Sequence, residues 1–342
     1  MDKKKLSPTS GERRGPWLVN SGEARILMDR GWRAADLHVH TLYSHDVIPT
    51  ASVDPLALYL KARRDGLTFV AFTDHDTMAA YDNIGWTREG LVPAVEVKIL
   101  DPKNVGHTVH INVYALNRAQ FDEIERIAGA ARDIVLLAAY LRDERLPFVF
   151  NHPFWHEPGE SPNLRAVVEI AELFPVLEYN MGRVGRINAQ ALRLADALGK
   201  GVVAATDTHV GEIGRAFTLT RGGTFREFFD DIAARRSRLC PADLTLPRIK
   251  EETSVRVRSL FDKAGWLYAK ESLSIDTGSA ILDAIVRRVA RDKADGPGLS
   301  LRLLRRAMEA FSSSGIPGFF YLRSQNGLAD RVGRVLESSE TA

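Results

Sequence analysis

The chain has 342 residues, of which 45% are hydrophobic and 26% charged, so a largely disordered or collagen-like protein is excluded. Its single cysteine, Cys240, excludes an internal disulfide and a site built from several thiolates, so any metal must be held by His, Asp and Glu. A formal net charge of +2 is too small for binding nucleic acid through bulk charge. Because no signal peptide and no long apolar run is visible, we expect a cytoplasmic protein that makes no membrane contact.

From Ala34 onward, apolar strands alternate with helical segments. Strands are predicted at 36–41, 67–75, 91–100, 107–116, 147–152, 176–180 and 201–209. Helices are predicted at 55–64, 120–145, 164–174, 187–198 and 225–236, and Asp54 is a plausible cap for the first of them. This alternation predicts an α/β protein with a parallel sheet or a (β/α) barrel, and about seven strands favour the barrel.

The chain divides into three predicted regions. Residues 1–33 are expected to form an N-terminal arm, residues 34–246 the barrel, and residues 247–342 a helical C-terminal region. Helical periodicity in the last region falls at 254–270, 279–292, 299–311 and 328–336. These helices could pack on the barrel or support an oligomer.

Imidazoles and carboxylates follow one another at the predicted strand ends. His38 and His40 are two residues apart in a strand, so both side chains point to one face. The further candidates are His75, Glu96, His110, His152, Asp207 and His209. Burying this many charges unpaired would cost several kcal/mol each, and divalent cations would offset that cost. Without thiolates, this donor set favours Mn, Fe or Zn, and roughly nine donors predict two or three ions.

The order of the motifs is also informative. DLHVHT, FTDHDT, AVEV, VHINVY, NHP and TDTH follow one another between residues 36 and 209. In this order they resemble the PHP (polymerase and histidinol phosphatase) family of metal-dependent phosphoesterases over roughly residues 34–220. The resemblance implies a distorted (β/α)7 barrel with a C-terminal helical extension and a trinuclear metal site.

The resemblance also implies how the ligands are shared. The three sets would be His38, His40, Glu96 and Asp207; Glu96, His110 and His152; and His75, His209 and Asp46. Asp46 is preferred because Tyr43-Ser44-His45-Asp46 fits a family variant, with His45 as the alternative. His110 is preferred over its rival His107. Asp36, Asp74 and Asp76 could orient the imidazoles or simply form turns and caps.

These residues together predict a reaction class. Arg183, Arg186 and Arg215 follow predicted strand ends and could grip phosphate oxygens. We expect catalysis to involve Glu96, Asp207, His209 and Arg215. The expected activity is metal-dependent hydrolysis of a phosphomonoester or nucleotide through a hydroxide that bridges the ions. The alternatives are a nuclease for short oligonucleotides and a non-catalytic metal-binding module.

Overall fold

The computed structural model describes residues 17–262, 284–285, 287–289 and 299–340. The strands in chain order are β1 (Trp17–Leu18), β2 (Arg33–Val39), β3 (Phe69–Phe72), β4 (Leu91–Asp101), β5 (His107–Tyr114), β6 (Phe148–Phe150), β7 (Val176–Asn180), β8 (Gly201–Ala205), β9 (Phe217–Thr220) and β10 (Arg238–Cys240). They join in one sheet in the order β1-β10-β9-β2-β3-β4-β5-β6-β7-β8.

Strands β2 to β8 form a nearly closed barrel, which confirms the predicted fold class. The pairs β2–β3, β3–β4, β6–β7 and β7–β8 are parallel, whereas β5 runs antiparallel to both of its neighbours. A parallel bridge between Val39 and Thr208 draws the chain after β8 towards β2, supported by a 3.1 Å bond from the His40 N–H to the Thr208 carbonyl. The antiparallel β4–β5 hairpin is the distortion from a regular barrel.

Helices cover the outside of the barrel and continue beyond it. They are α1 (Ser21–Asp29), α2 (Pro55–Arg64), α3 (Ala79–Ile84), α4 (Arg118–Arg126), α5 (Ile134–Asp143), α6 (Leu164–Ile170), α7 (Gly185–Ala197), α8 (Phe225–Ala233), α9 (Leu246–Phe261), α10 (Leu299–Ser314) and α11 (Ile316–Glu340). Helix α2 has its predicted bounds, because the Asp54 carboxylate accepts the Ala57 N–H at 3.0 Å and Pro55 occupies the first turn.

The single helix predicted at 120–145 is wrong. Helix α4 passes into a π-helical turn over Ile127–Ala131, and Arg132 then adopts a left-handed conformation with φ 52°. Helix α5 begins anew because the Asp133 carboxylate accepts the N–H groups of Val135 and Leu136. Asp133 could have been identified from the sequence as the N-cap of a second helix, but the helical periodicity continues across it and favoured one long helix.

Two terminal predictions are modified. Residues 17–33 belong to the barrel layer, since β1 pairs with β10 and Ala24 of α1 is buried in the core. Residues 1–16 and most of the helix predicted at 279–292 lie outside the described residues. The other C-terminal helical signals correspond to α9, α10 and α11, of which α9 begins earlier and α11 runs longer than predicted.

The barrel interior has a dry end and a polar end. At the dry end, Phe228 of α8 packs against small and branched side chains of the strands, which include Ala35, Leu37, Ala71, Ala94, Val149, Val176 and Val203. A register shift between Asp36 and Val39 marks a bulge in β2. Because of this bulge, Leu37 faces the dry interior while His38, its neighbour, faces the polar end. The helices described show no segment long and apolar enough to cross a bilayer.

Replacing Phe228, the aromatic side chain of α8 at the dry end, tests this packing. Phe228 is fully buried, so Phe228→Ala should lower the free energy of unfolding by about 3–5 kcal/mol through lost burial and a residual cavity. Urea denaturation measures the change. The rings of Phe225 and Phe228 both contact Phe69, but Phe225 is only half-buried. Phe225→Ala should therefore lower the free energy of unfolding clearly less. A loss under about 1 kcal/mol for Phe228→Ala would contradict the assigned packing.

Candidate metal centre

The polar end of the barrel collects imidazoles and carboxylates from six strands or the loops that follow them. His38 and His40 come from the end of β2, Glu96 from β4 and His110 from β5, and all four are buried. The loops after β2, β3, β6 and β8 supply the rest: Asp46, His75, His152, Asp207 and His209. Residues separated by more than 160 positions therefore meet in one cluster.

One group of donors lies at the mouth of β2. The Nε2 atoms of His38 and His40 are 3.1 Å apart. Asp207 Oδ1 lies 3.3 and 3.2 Å from these two nitrogens, and Glu96 Oε2 lies 3.2 Å from each. Nitrogens of His38 and His40 and an oxygen of Asp207 form one convergent donor group, and Glu96 joins His38 and His152 in another.

The other oxygen of Glu96 belongs to a second group. Glu96 Oε1 is 3.2 Å from His110 Nδ1 and 3.3 Å from His152 Nε2. The two carboxylate oxygens therefore face different sets of imidazoles, which is the geometry of a bridging ligand. The rival His107 lies elsewhere, with its Nδ1 accepting the Asn163 N–H at 3.4 Å.

A third group forms around Asp46. Its Oδ2 lies 2.7 Å from His209 Nε2 and 3.7 Å from His75 Nε2. The ring of His45 is 4.9 Å from that of His75, and among the described residues His45 joins none of the convergent donor groups. The arrangement favours Asp46 over His45. Four overlapping donor groups of this kind, built only from His, Asp and Glu, are candidate metal sites.

Glu178 holds the cluster in place, although sequence reasoning assigned it no role. Its Oε1 lies 2.7 Å from His38 Nδ1, and its Oε2 accepts the His152 N–H at 2.8 Å. Asn180 donates to both Glu178 and Asp207, at 2.9 and 3.0 Å. A carboxylate on Nδ1 leaves the opposite ring nitrogen, Nε2, directed at the donor group. The sequence feature that could have indicated this role is the presence of two polar residues, Glu178 and Asn180, in the otherwise largely apolar strand VLEYN.

The aspartates considered as imidazole partners have a different role. Asp74 accepts the backbone N–H and the hydroxyl of Thr41 at 2.6 and 2.7 Å. Asp36 similarly binds the backbone and hydroxyl of Thr206, and Asp76 accepts the Lys98 N–H. They secure strand ends and loops, which is the second of the two roles expected for them.

Opposite charges compensate one another inside the cluster. Burial alone would raise the pKa of Glu96, but His38, His75 and His110 hold it well below its ordinary value. Burial alone would lower the pKa of His40, but hydrogen bonds that its ring donates to Asp207 and Glu96 raise the pKa to about 10. The pKa of His110 is raised to about 9 against burial, chiefly by Glu96. Bound protons therefore balance the carboxylates when no cation is present.

The donor set fits divalent metal ions. The buried atoms His75 Nδ1 and His110 Nε2 have no hydrogen-bond partner. Asp207 and His152 hold positive φ angles of 50° and 25°, a conformation that is costly for residues other than glycine. Glu96 Oε2 lies 3.2 Å from this nitrogen of His75, and Glu157 Oε1 lies 3.6 Å from that of His110. Nitrogens that face carboxylates without a hydrogen bond, next to strained backbone, indicate a site built for a cation. Imidazole with carboxylate suits Mn, Fe or Zn.

Of the three predicted phosphate-binding arginines, one faces the cluster. Arg183 lies 4.0 Å from Asp207 Oδ2, stacks on the Trp155 ring at 5.3 Å, and lines the cavity above the donors. The other two turn away: Arg186 pairs with Asp330 at 2.6 Å, and Arg215 pairs with Glu212 at 3.1 Å. Both of these side chains are more than half exposed, and neither lines the cavity above the donors.

A cavity of about 670 Å³ opens directly above the donor groups. Its floor includes Glu96, Asp207 and His209, and Trp155 and Arg183 form part of its wall. Side chains of α9, α10 and α11 line the opposite side. A space of this size suits a small molecule, and the C-terminal helices help to enclose it.

No protein-family model and no curated protein matches the sequence. Among solved structures, the chain is similar to PsfC from Pseudomonas syringae PB-5123, at 19% identity over 67% of this chain and 96% of that one, with a TM-score of 0.46. It is also similar to a protein from Bifidobacterium adolescentis described as a metal-dependent phosphoesterase, at 20% identity over 61% and 97% of the chains and a TM-score of 0.37. A lesion-specific endonuclease Q from Pyrococcus furiosus matches at 15% identity over 61% and 57%, with a TM-score of 0.42.

Glu178 can be tested without touching a candidate ligand. Glu178→Gln should lower the affinity for Mn²⁺ or Zn²⁺ by about 10- to 100-fold, because the amide cannot hold His38 in the same tautomer. Titration calorimetry gives the affinity. Glu160→Gln changes a carboxylate that binds Thr108 outside the cluster and serves as the matched control. Equal affinities for both variants would show that Glu178 does not support the centre.

The raised imidazole pKa values predict proton release on metal binding. At pH 7, His40 and His110 carry protons in the metal-free protein, and they must lose them to become ligands. Affinity should therefore rise as the pH is raised from about 6 to 8. Calorimetry in two buffers with different ionisation enthalpies counts the protons. An affinity that falls with rising pH, or no proton release, would contradict the assignment.

Proposed function

We propose that the protein is a metal-dependent phosphoesterase that hydrolyses a small phosphomonoester. The observation that carries the proposal is the convergence of His38, His40, Asp46, His75, Glu96, His110, His152, Asp207 and His209 in one buried cluster beneath a cavity. The order of the PHP-like motifs in the sequence supports the same reaction class.

The candidate ligands form three sets, one for each proposed ion. His38, His40, Glu96 and Asp207 would hold one ion, and Glu96 would share a second with His110 and His152. Asp46, His75 and His209 would hold a third. When bound, such ions lower the pKa of water and stabilise charge on phosphoryl oxygens, which is the chemistry of phosphoester hydrolysis.

Arg183 supplies the fixed positive charge that a phosphate needs beyond the ions. Its stacking on Trp155 restricts the guanidinium, so less freedom is lost when it binds phosphoryl oxygens. Trp155 also contacts the rings of His110 and His152 and covers one side of the donor cluster. Arg183 therefore orients the phosphate over the cluster, and Trp155 keeps water from that side.

The size of the cavity favours a small phosphomonoester over a nuclease substrate. The cavity is about 670 Å³ and has α9, α10 and α11 along one side, whereas a strand of nucleic acid needs an open groove. A short oligonucleotide is retained as the second substrate to test. The products distinguish the two activities, since a nuclease releases nucleotides from the oligonucleotide and a phosphatase releases inorganic phosphate from the monoester.

The test combines metal content with turnover. Protein purified without chelator should contain more than one equivalent of Mn, Fe or Zn by elemental analysis, and should release phosphate from phosphomonoesters. Glu96→Gln should lower kcat by about 1,000-fold or more, because one side chain serves two donor groups. Glu125→Gln, a partly buried acid outside the cluster, is the matched control.

Two results would overturn the proposal. A folded, metal-free protein would remove the metal centre, and full activity of Glu96→Gln would remove the bridging role. Cleavage of oligonucleotides without hydrolysis of monoesters would move the assignment to the nuclease. Bound metal without turnover of any phosphoester would indicate a non-catalytic module.

A further inference from the structure

The cavity above the donor cluster has two chemically different sides. Towards the barrel it is lined by charged and polar groups, which include Glu96, Asp207 and Arg183. Away from the cluster most of the lining side chains are apolar, and they share the wall with the polar side chains of Thr253, Arg256, Ser259 and Ser312. The apolar part includes Ile48, Leu260, Met308, Phe311, Pro317 and Tyr321. All of these except Ile48 belong to α9, α10 and α11. A ligand that fills the cavity must therefore be ionic at one end and apolar at the other.

The apolar wall is packed against the candidate metal site. Ile48, two residues after Asp46, packs with Met308 against the cluster of Leu260 and Leu301. The loop that carries Asp46 is thus in contact with the C-terminal helices. This contact places part of the apolar wall beside the loop that carries Asp46.

Ion pairs and a hydrogen bond fasten the helices to the barrel. Arg248 of α9 pairs with Glu212, three residues after His209, at 2.7 Å, and both side chains are mostly buried. Tyr321 of α11 accepts a 3.3 Å hydrogen bond from Arg183. Through these contacts, two groups close to the donor cluster are joined directly to the helices that form the apolar wall.

The wall discriminates between leaving groups by their polarity. The apolar side chains that make up most of the wall offer no partner to the hydroxyl groups of a sugar. Thr253, Ser259 and Ser312 could bond some of them, but hydroxyls that face Leu260, Met308 or Phe311 would stay without hydrogen bonds. A ring or a branched hydrocarbon would instead gain from leaving water. The cavity volume of about 670 Å³ leaves room for a group of one or two rings beside the phosphate.

We propose that the C-terminal helices select the leaving group, and that the substrate is the phosphomonoester of an apolar, ring-sized alcohol. Its phosphate lies on the side of Arg183 and the donor cluster, and its alcohol portion lies against Leu260, Met308 and Phe311. This inference rests on the proposed phosphoesterase function. Nucleotides and sugar phosphates are poorer substrates, because each places a ribose or hexose against the apolar wall.

The kinetic test compares two phenylalanines on neighbouring helices. Phe311 and Phe319 are similarly exposed, at 60% and 56%, but of the two Phe311 lines the cavity. With manganese present, 1-naphthyl phosphate should exceed AMP and glycerol 2-phosphate in kcat/KM by about tenfold or more. Phe311→Ser should remove most of that preference, measured as the ratio of kcat/KM for 1-naphthyl phosphate to kcat/KM for glycerol 2-phosphate. Phe319→Ser should leave all three values unchanged.

A binding measurement gives a second readout that needs no turnover. Naphthylmethylphosphonate should bind about tenfold more tightly than methylphosphonate by calorimetry, and Phe311→Ser should reduce this ratio. Equal binding of the two phosphonates, or a preference for AMP, would overturn the inference. If no ester is hydrolysed but the binding preference is present, the proposed function fails and the apolar selection stands. If all esters are hydrolysed equally, only the selection fails.

Discussion

The whole arrangement depends on confining many ionisable groups to one end of a barrel whose other end is dry. Glu96 is central, because its two oxygens face separate imidazole groups while the residue is completely buried. Carboxylates and imidazoles in such a place are tolerable only when their charges cancel, through protons or through cations. The apolar layer around Phe228 supplies the stable packing that holds these groups together.

Much of the site could be predicted because strand ends are local features of sequence. Apolar runs ended by His or Asp mark where each chain segment reaches the rim, and parallel strands bring those ends to one side. Asp54 likewise marks the start of α2, because its carboxylate binds the N–H of Ala57, only three residues later in the sequence. The approximate sites of His38, Glu96 and Asp207 follow from such short-range patterns. The β/α alternation predicts the barrel in the same way.

What could not be predicted depends on contacts between distant residues. The bulge in β2, which directs both Leu37 and His38 inwards, arises from pairing with β3 and leaves no mark in the local alternation. The ion pair between Arg186 and Asp330 could not be predicted, because 144 residues separate the two in the sequence. Glu178 reads as an unexplained acid in a buried strand until the ring of His38 is placed against it.

The donor cluster and the apolar wall come from separate stretches of the polypeptide. Every candidate ligand lies before residue 210, whereas the wall is largely supplied after residue 246. Substitutions in the later stretch can therefore change which molecule is accepted while the reacting centre stays the same. Under the proposed function, exchanging the helical appendage would change which alcohol is accepted and would leave every candidate ligand in place.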